Sequence, residues 1–210
     1  RDSISGLAPN RDRELLSKYG LVNDFASWSY SVTSVFDLAS RLCRSENITV
    51  LRDHHRSHHD IIEFSNRHFY EGRLRIATKR ERLRPVNKDE LGVRWIQTDG
   101  KIARSQSGGC YNRKEAIALV QELRRLTLDQ GYKGTIGAVT PFRAQANLIR
   151  ELAHQDAELS AALANADFLS ETAHRFQGDE RDVILFSPVV GNGIPKGSEV
   201  FLSKTPNLFN

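Results

Sequence analysis

The chain has 210 residues, 39% of them hydrophobic and 27% charged, so it can bury a core without disulfide or metal staples and has a globular balance. Two cysteines, Cys43 and Cys110, are too few for a disulfide framework. No apolar run is long enough for a membrane span, and the first residues lack the apolar core of a signal peptide. These features predict an intracellular, cytoplasmic setting, nuclear if the source is eukaryotic, with no membrane partner. The formal charge of +4 is carried mostly on arginine and favours a phosphate-bearing partner, nucleotide or nucleic acid. Methionine is absent, position 1 included, which predicts a piece of a longer chain.

In chain order, residues 11–19 predict a helix closed by Gly20, and Trp28-Ser29-Tyr30 a loop. Thr33 or Ser34 can cap a short helix through Arg44, with Val35, Phe36, Leu38, Ala39 and Leu42 as its apolar face. Ile48-Thr49-Val50-Leu51 predicts a first strand. Residues 58–70 carry apolar positions near a 3.6 period, a helix ended by Glu71-Gly72. From Arg73 to Lys88 the chain turns basic, with Arg73, Arg75, Lys79, Arg80, Arg82 and Arg84 set against Glu71 and Glu81. Such a run is a solvated loop or a support for a polyanion.

Val93-Arg94-Trp95-Ile96 predicts another strand, followed by loop to about Gly109. Residues 112–130 form a strongly periodic helix with Gly131 as its stop. Residues 135–140 predict a strand, and Pro141 suits the first turn of a helix over 142–154, with an alanine-rich second helix beyond. The stretch 168–190 packs two strands and a polar hinge into a span too short for a helix hairpin. Within it, Val183-Ile184-Leu185-Phe186 predicts a short strand buried on both faces, as in a parallel sheet. Residues 191–210, with two prolines and three glycines, predict loop.

Strands alternating with helices predict an α/β fold with a mostly parallel sheet, whose ligands bind at the carboxyl ends of the strands. Three polar stretches follow strands in this way, 53–60, 140–145 and 172–180, and are expected to converge on one edge. In the last of them Gln177-Gly178-Asp179-Glu180 suits either an ordinary turn or a loop whose backbone approaches a ligand.

Two catalytic alternatives need weighing. In 53–60, His54 and His58, or His55 and His59, have the four-residue spacing of a metal pair, and His59-Asp60 resembles the dyad of metal-dependent phosphohydrolases. Arg56 lies inside the cluster and opposes a cation, and no further set of histidines and carboxylates completes a ligand shell, so no metal is assigned. The phosphate-cradling pattern GxxxxGK[ST] is absent; residues 191–198, GNGIPKGS, have its letters in the wrong order. The chain does not hold and hydrolyse ATP alone in the P-loop manner, but it can be the half that closes over a nucleotide.

Three segments carry a family resemblance. LRDHHRSHHDIIEFSNRHFYEGRL resembles the superfamily 1 helicase stretch L-x-x-x-Y-R-[MS]-H-x-x-I-x-x-F-x-N-x-x-F-Y-x-G-x-L. TIGAVTPFRAQANLIRE is similar to their I-x-V-x-T-P-[YF]-x-x-Q segment, and SETAHRFQGDERDVILFSPVV to their T-V-D-x-F-Q-G-x-E-x-D-V-I-I-x-S segment. The order of the three is the family's, and the branch most resembled is that of senataxin and the nonsense-mediated-decay helicases, whose members translocate 5′ to 3′.

The resemblance implies a RecA-like, P-loop-NTPase-like three-layer fold lacking its own Walker A segment. Residues 1–45 would be a lead-in following the first motor domain, and 46–210 the second RecA-like domain, incomplete at its C-terminus. The family's last motif, ending Thr-Arg-Ala-Arg, would follow Asn210, and Leu7-Ala8-Pro9 would be a remnant of the first domain. Arg56 is implied to reach the γ-phosphate as the catalytic arginine. Gln177, Gly178 and Glu180 would meet the nucleotide, Glu180 at the ribose, and His55 stands where a tyrosine commonly stacks beside the adenine. Thr140, Pro141, Gln145, Thr172 and His174 fall where the family touches or supports a single strand of DNA or RNA. ATP and Mg2+ would be bound mainly by the first RecA-like domain of the same parent, and the fragment alone would be inactive. The rivals are a nucleic-acid-binding module that uses the fold only as a scaffold, and the metal-dependent phosphohydrolase.

Overall fold

A computed structural model describes residues 9–25, 29, 33–87, 91–106 and 108–209. The chain divides into two compact units, Arg1–Arg52 and Asp53–Asn210.

In the first unit, helix α1 spans Pro9–Lys18 and is closed by Gly20, whose φ of 69° lets the chain turn back so that the Leu21 N–H reaches the Leu16 carbonyl at 2.8 Å. A single turn, α2, follows at Val22–Phe25. Of the loop expected at Trp28-Ser29-Tyr30, only Ser29 lies among the described residues, its hydroxyl donating to the Asp12 carboxylate; Leu7 and Ala8 also lie outside them. Helix α3, Val35–Leu42, begins with a capping box in which the Asp37 N–H donates to the Ser34 hydroxyl (3.1 Å) and the Ser34 N–H to the Asp37 carboxylate (3.0 Å). It ends before Arg44, and Val35, Phe36 and Leu42 stay exposed. Residues 48–51 are not a strand: after a 3-10 turn at Ser45–Asn47 they are exposed, and among the described residues no strand pairs with them.

The second unit opens with β1, Asp53–His54, which pairs in parallel with β2, Arg75–Ile76, across α4, His59–Phe69. Asn66 ends α4. Its carbonyl accepts the Tyr70 and Gly72 N–H groups, and its side chain exchanges two hydrogen bonds with the Leu74 backbone, while Glu71 and Gly72 take left-handed φ values of 54° and 70°. Residues 93–96 form no strand, and Val93 and Trp95 are exposed. The hairpin comes later, β3 at Ala103–Arg104 antiparallel to β4 at Cys110–Tyr111.

Helix α5, Arg113–Arg124, is capped by Asn112 and runs on into a π-helical turn, Arg125–Asp129, before Gly131 stops it at φ 60°. Then come β5 (Ile136–Thr140), α6 (Arg143–His154), α7 (Ala157–Asn165), β6 (Leu169–Thr172) and β7 (Val183–Phe186). These strands form one parallel sheet in the order β6-β5-β7. Every residue of β5 is buried, so the strand covered on both faces is β5, not β7. β7 lies at the edge, and Ile184 and Phe186 are 44% and 41% exposed. Against one side of the sheet Leu119, Leu123 and Leu126 meet Ile136, Ala138 and Ile149, with Leu159 and Leu163 of α7 closing the core. Opposite, Gly137 has no room for a side chain: a Cβ would lie 2.6 Å from Phe176 and 2.9 Å from Ile184.

The expected terminal loop instead contains α8, Lys196–Lys204, and a 3-10 turn, Pro206–Phe209. Phe201 and Leu202 of α8 pack on Ile102, Cys110, Phe142 and Val189. Its two flanking prolines mark its boundaries, where the sequence pattern suggests breakers.

Candidate nucleotide and nucleic-acid site

Arg56 follows β1 in a tight loop. The neutral His54 ring accepts the Ser57 N–H at its Nε2 (2.9 Å), turning the chain so that Arg56 projects outward. Burial first, then the positive charges of Arg56 and His55, hold the His54 pKa below the usual histidine value. His58 caps α4, accepting the Asp60 N–H at 3.3 Å. Gly92, at φ 89°, packs against this cap, where a Cβ would lie 2.5 Å from Asp60 Oδ2 and 3.1 Å from His58 Nδ1. Two histidines of the cluster, His54 and His58, are thus spent on loop and cap geometry, while His55 and His59 are exposed. Among the described residues no three His, Cys, Asp or Glu side chains gather as a metal would require.

Far along the sequence, residues 177–180 form the exposed loop between β6 and β7. Gly178 has φ 89°, and nothing lies within 4 Å of where a Cβ would stand, so glycine is there for its backbone angle and leaves the surface open. Arg181 holds the loop from behind. Its guanidinium donates to the Glu180 carbonyl (2.8 Å) and the Asp167 carbonyl (3.1 Å), pairs with Asp179, and lies over the Phe176 ring. Asp182 ties β7 to β5 through the Thr135 N–H (2.8 Å) and hydroxyl (3.0 Å). The loop so held places Glu180 Oε1 2.7 Å from Arg56 Nε. Both side chains are largely exposed, 72% for Arg56 and 60% for Glu180, and His55 beside them is exposed as well.

The three polar stretches do not all converge on one edge: Arg181 and Asp182, next to Glu180, bond Asp167 and Thr135 just before β6 and β5, whereas the third stretch, 140–145, lies at the opposite, carboxyl ends of these strands. Thr140 and Thr172 are register partners at the carboxyl ends of β5 and β6, and the Ala173 N–H donates to the Thr140 carbonyl at 3.0 Å. Their side chains, with those of Pro141 and Gln145, are buried; His174 is half-buried. Gln145 uses both ends of its amide inside, accepting the Asn112 N–H (2.8 Å) and donating to the Asn112 carbonyl (3.2 Å) and the Ser187 hydroxyl (2.9 Å). Ser187 donates to Glu115 (2.8 Å), which also accepts the Val189 N–H at 3.1 Å. A buried polar network therefore ties the starts of α5 and α6 to the end of β7. What this edge offers a ligand is backbone and exposed neighbours, not the Thr140 or Gln145 side chains.

Sequence reading passes over Arg181, Asp182, Asn112, Glu115 and Ser187. The Asn-x-x-Glu spacing at 112–115 is a helix-start signal that could have pointed to two of them.

A mixed α/β fold with a parallel sheet fits a RecA-like domain. The family model described as AAA domain matches residues 32–208. The chain belongs to that family, in the senataxin and nonsense-mediated-decay branch of the superfamily 1 helicases. Helicase sen1 of Schizosaccharomyces pombe is 30% identical over 152 residues, 69% of this chain and 9% of that protein. Regulator of nonsense transcripts 1 homolog of Drosophila melanogaster is 28% identical over 145 residues, 66% of this chain and 12% of that protein. DNA polymerase alpha-associated DNA helicase A of Saccharomyces cerevisiae is 25% identical over 180 residues, 76% of this chain and 26% of that protein. The chain spans 9% to 26% of the length of these relatives. Among the described residues no helix is long and apolar enough to cross a membrane.

Proposed function

We propose that residues 46–210 are the second RecA-like motor domain of an ATP-driven translocase on single-stranded DNA or RNA, with residues 1–45 leading in from the first. The observation that carries this reading is the 2.7 Å approach of Arg56 to Glu180, which brings two distant segments to one exposed point. An exposed arginine beside a glycine loop fits one wall of a nucleotide cleft whose other wall supplies the phosphate cradle missing from this sequence. Mg2+ and the triphosphate would be held mainly by that other wall. Arg56 would place its guanidinium against negative charge on the γ-phosphoryl group, Glu180 would accept from the ribose, and Gln177 and Gly178 would line the loop, with His55 stacking nearby.

On the strand side, Thr140, Pro141, Gln145 and Thr172 would shape the edge from beneath while His174 and the local backbone face the strand. Both substrates place the protein inside the cell.

The test is ATP hydrolysis by this chain and by the same chain joined to its first motor domain, each with and without single-stranded DNA or RNA. The chain alone is expected to be inactive and the joined protein strand-stimulated. Arg56→Ala in the joined protein should lower hydrolysis at least a hundredfold, about the loss of one transition-state donor, with strand binding nearly unchanged. Hydrolysis within a few-fold of wild type removes Arg56 from the role, and strand binding without any hydrolysis leaves the non-motor scaffold.

A further inference from the structure

The helices α5 and α6 begin side by side, fastened by the two hydrogen bonds between Gln145 and the Asn112 backbone, 2.8 and 3.2 Å. Arg113 and Lys114 are the first two residues of α5, and Arg143 is the first of α6. All three side chains are exposed, and none makes an ion pair among the described residues. The acidic residue of these first turns, Glu115, is occupied by Ser187 and Val189. Nearby, Glu171 is taken by Arg150 (3.3 Å) and Arg175 (3.8 Å).

Cations here gain nothing from folding. They stand in the positive first turns of both helices, an arrangement that disfavours the folded chain until an anion arrives. In the basic window at 73–84, Arg73 pairs with Glu71 (3.2 Å), Arg75 with Asp53 (2.7 Å) and Arg84 with Asp182 (3.9 Å), while Lys79, Arg80 and Arg82 make no ion pair among the described residues but stand at no α-helix start. The unpaired cluster also lies where a ligand is expected. Arg143 follows closely on Thr140, the carboxyl end of β5 and register partner of Thr172.

We propose that Arg113, Lys114 and Arg143 form a contact for the sugar–phosphate backbone of one nucleic-acid strand, extending the strand path onto the starts of α5 and α6. This rests on the strand-binding reading above. Packed helices lie about 8–10 Å apart, so the two helix starts present cations to phosphates a nucleotide or two apart on one strand, not to a single small anion. Such contacts carry no sequence information and take DNA and RNA alike.

The test is fluorescence anisotropy of the chain with labelled oligothymidylate and oligouridylate, from about 50 to about 200 mM salt. Replacing all three residues by alanine should weaken binding at least tenfold at the lowest salt. It should also flatten the slope of log K against log salt by about 2, the sum of about 0.7 for each lost phosphate contact. Arg143→Glu alone should weaken binding further than Arg143→Ala, while Arg73→Ala with Arg75→Ala should leave the slope unchanged. Thermal unfolding of each variant checks that the fold is kept. If the wild-type chain binds and the triple variant binds with the same affinity and slope, the cluster is overturned and the strand reading stands. A wild-type chain that binds neither oligonucleotide at the lowest salt overturns the strand reading and the cluster with it.

Discussion

His54 shows how a residue that looks like a metal ligand serves the backbone instead. Its Nε2 accepts the Ser57 N–H only while the ring is neutral, and that bond shapes the turn carrying Arg56. Because its folded pKa lies below the usual 6.5, the folded chain binds fewer protons than the unfolded chain near that value. The stability it contributes is complete above pH 6.5 and is lost as pH falls through the lower folded value. Following the His54 ring and the Ser57 amide by NMR from about pH 8 to about pH 5 should show both moving together. A Ser57 amide that ignores the His54 titration would remove the bond from the loop's support. At this scale the exposed Arg56–Glu180 pair contributes little stability itself, because solvent screens it; its worth is positional.

Between elements, two polar anchors decide how α5 sits. If Gln145 were a surface contact, Gln145→Ala would change ligand binding and leave stability alone. Buried, with its amide shared between Asn112 and Ser187, it should instead cost about 2–4 kcal/mol in chemical unfolding, since the buried Asn112 N–H is left unpaired while the Asn112 carbonyl keeps only the Ala116 N–H. Unchanged stability would return Gln145 to the surface role. At the other end of α5, Glu122 is buried between Arg125 (2.7 Å) and Arg94. Burial pushes its pKa up, but hydrogen bonds and charge from Arg125 and Arg94 outweigh that and hold it below the ordinary 4.5. This depressed carboxylate contributes stability that is full above pH 4.5 and lost as pH falls through its folded pKa. Glu122→Gln should therefore destabilise the chain by about 1–3 kcal/mol near neutral pH, and the gap should narrow below pH 4.5 in acid titrations of unfolding. A gap independent of pH would mean that packing, not charge, is lost.

Over the whole molecule, the division into Arg1–Arg52 and Asp53–Asn210 predicts where the chain is cut first. Residues 48–51 are exposed and belong to no helix or strand, the usual target of proteolytic nicking. Limited proteolysis followed by mass spectrometry should release a resistant core beginning near Asp53; first cuts inside β5 or α6 would show that the second unit does not hold together by itself. The same stretch illustrates the limit of reading strands from composition. Ile48-Thr49-Val50-Leu51 and Val93-Arg94-Trp95-Ile96 have strand-forming residues, yet a strand exists only where a neighbour takes its backbone groups. Helices close their bonds locally, so α4, α5, α6 and α7 were legible from periodicity and caps, as was the strand β5. Helix α8, which stands where a loop is expected, owes its place to Phe201 and Leu202 docking on Phe142 and Val189, contacts that periodicity does not contain. The family was likewise legible in the sequence through resemblance, because the segments that hold Arg56, Thr140 and Gly178 are local to the chain. Which of these side chains face outward was decided by the tertiary structure. The sheet register buries Thr140 and Thr172, the Asn112 contact buries Gln145, and the β6–β7 loop brings Glu180 to Arg56, since burial and pairing across such distances depend on packing in three dimensions.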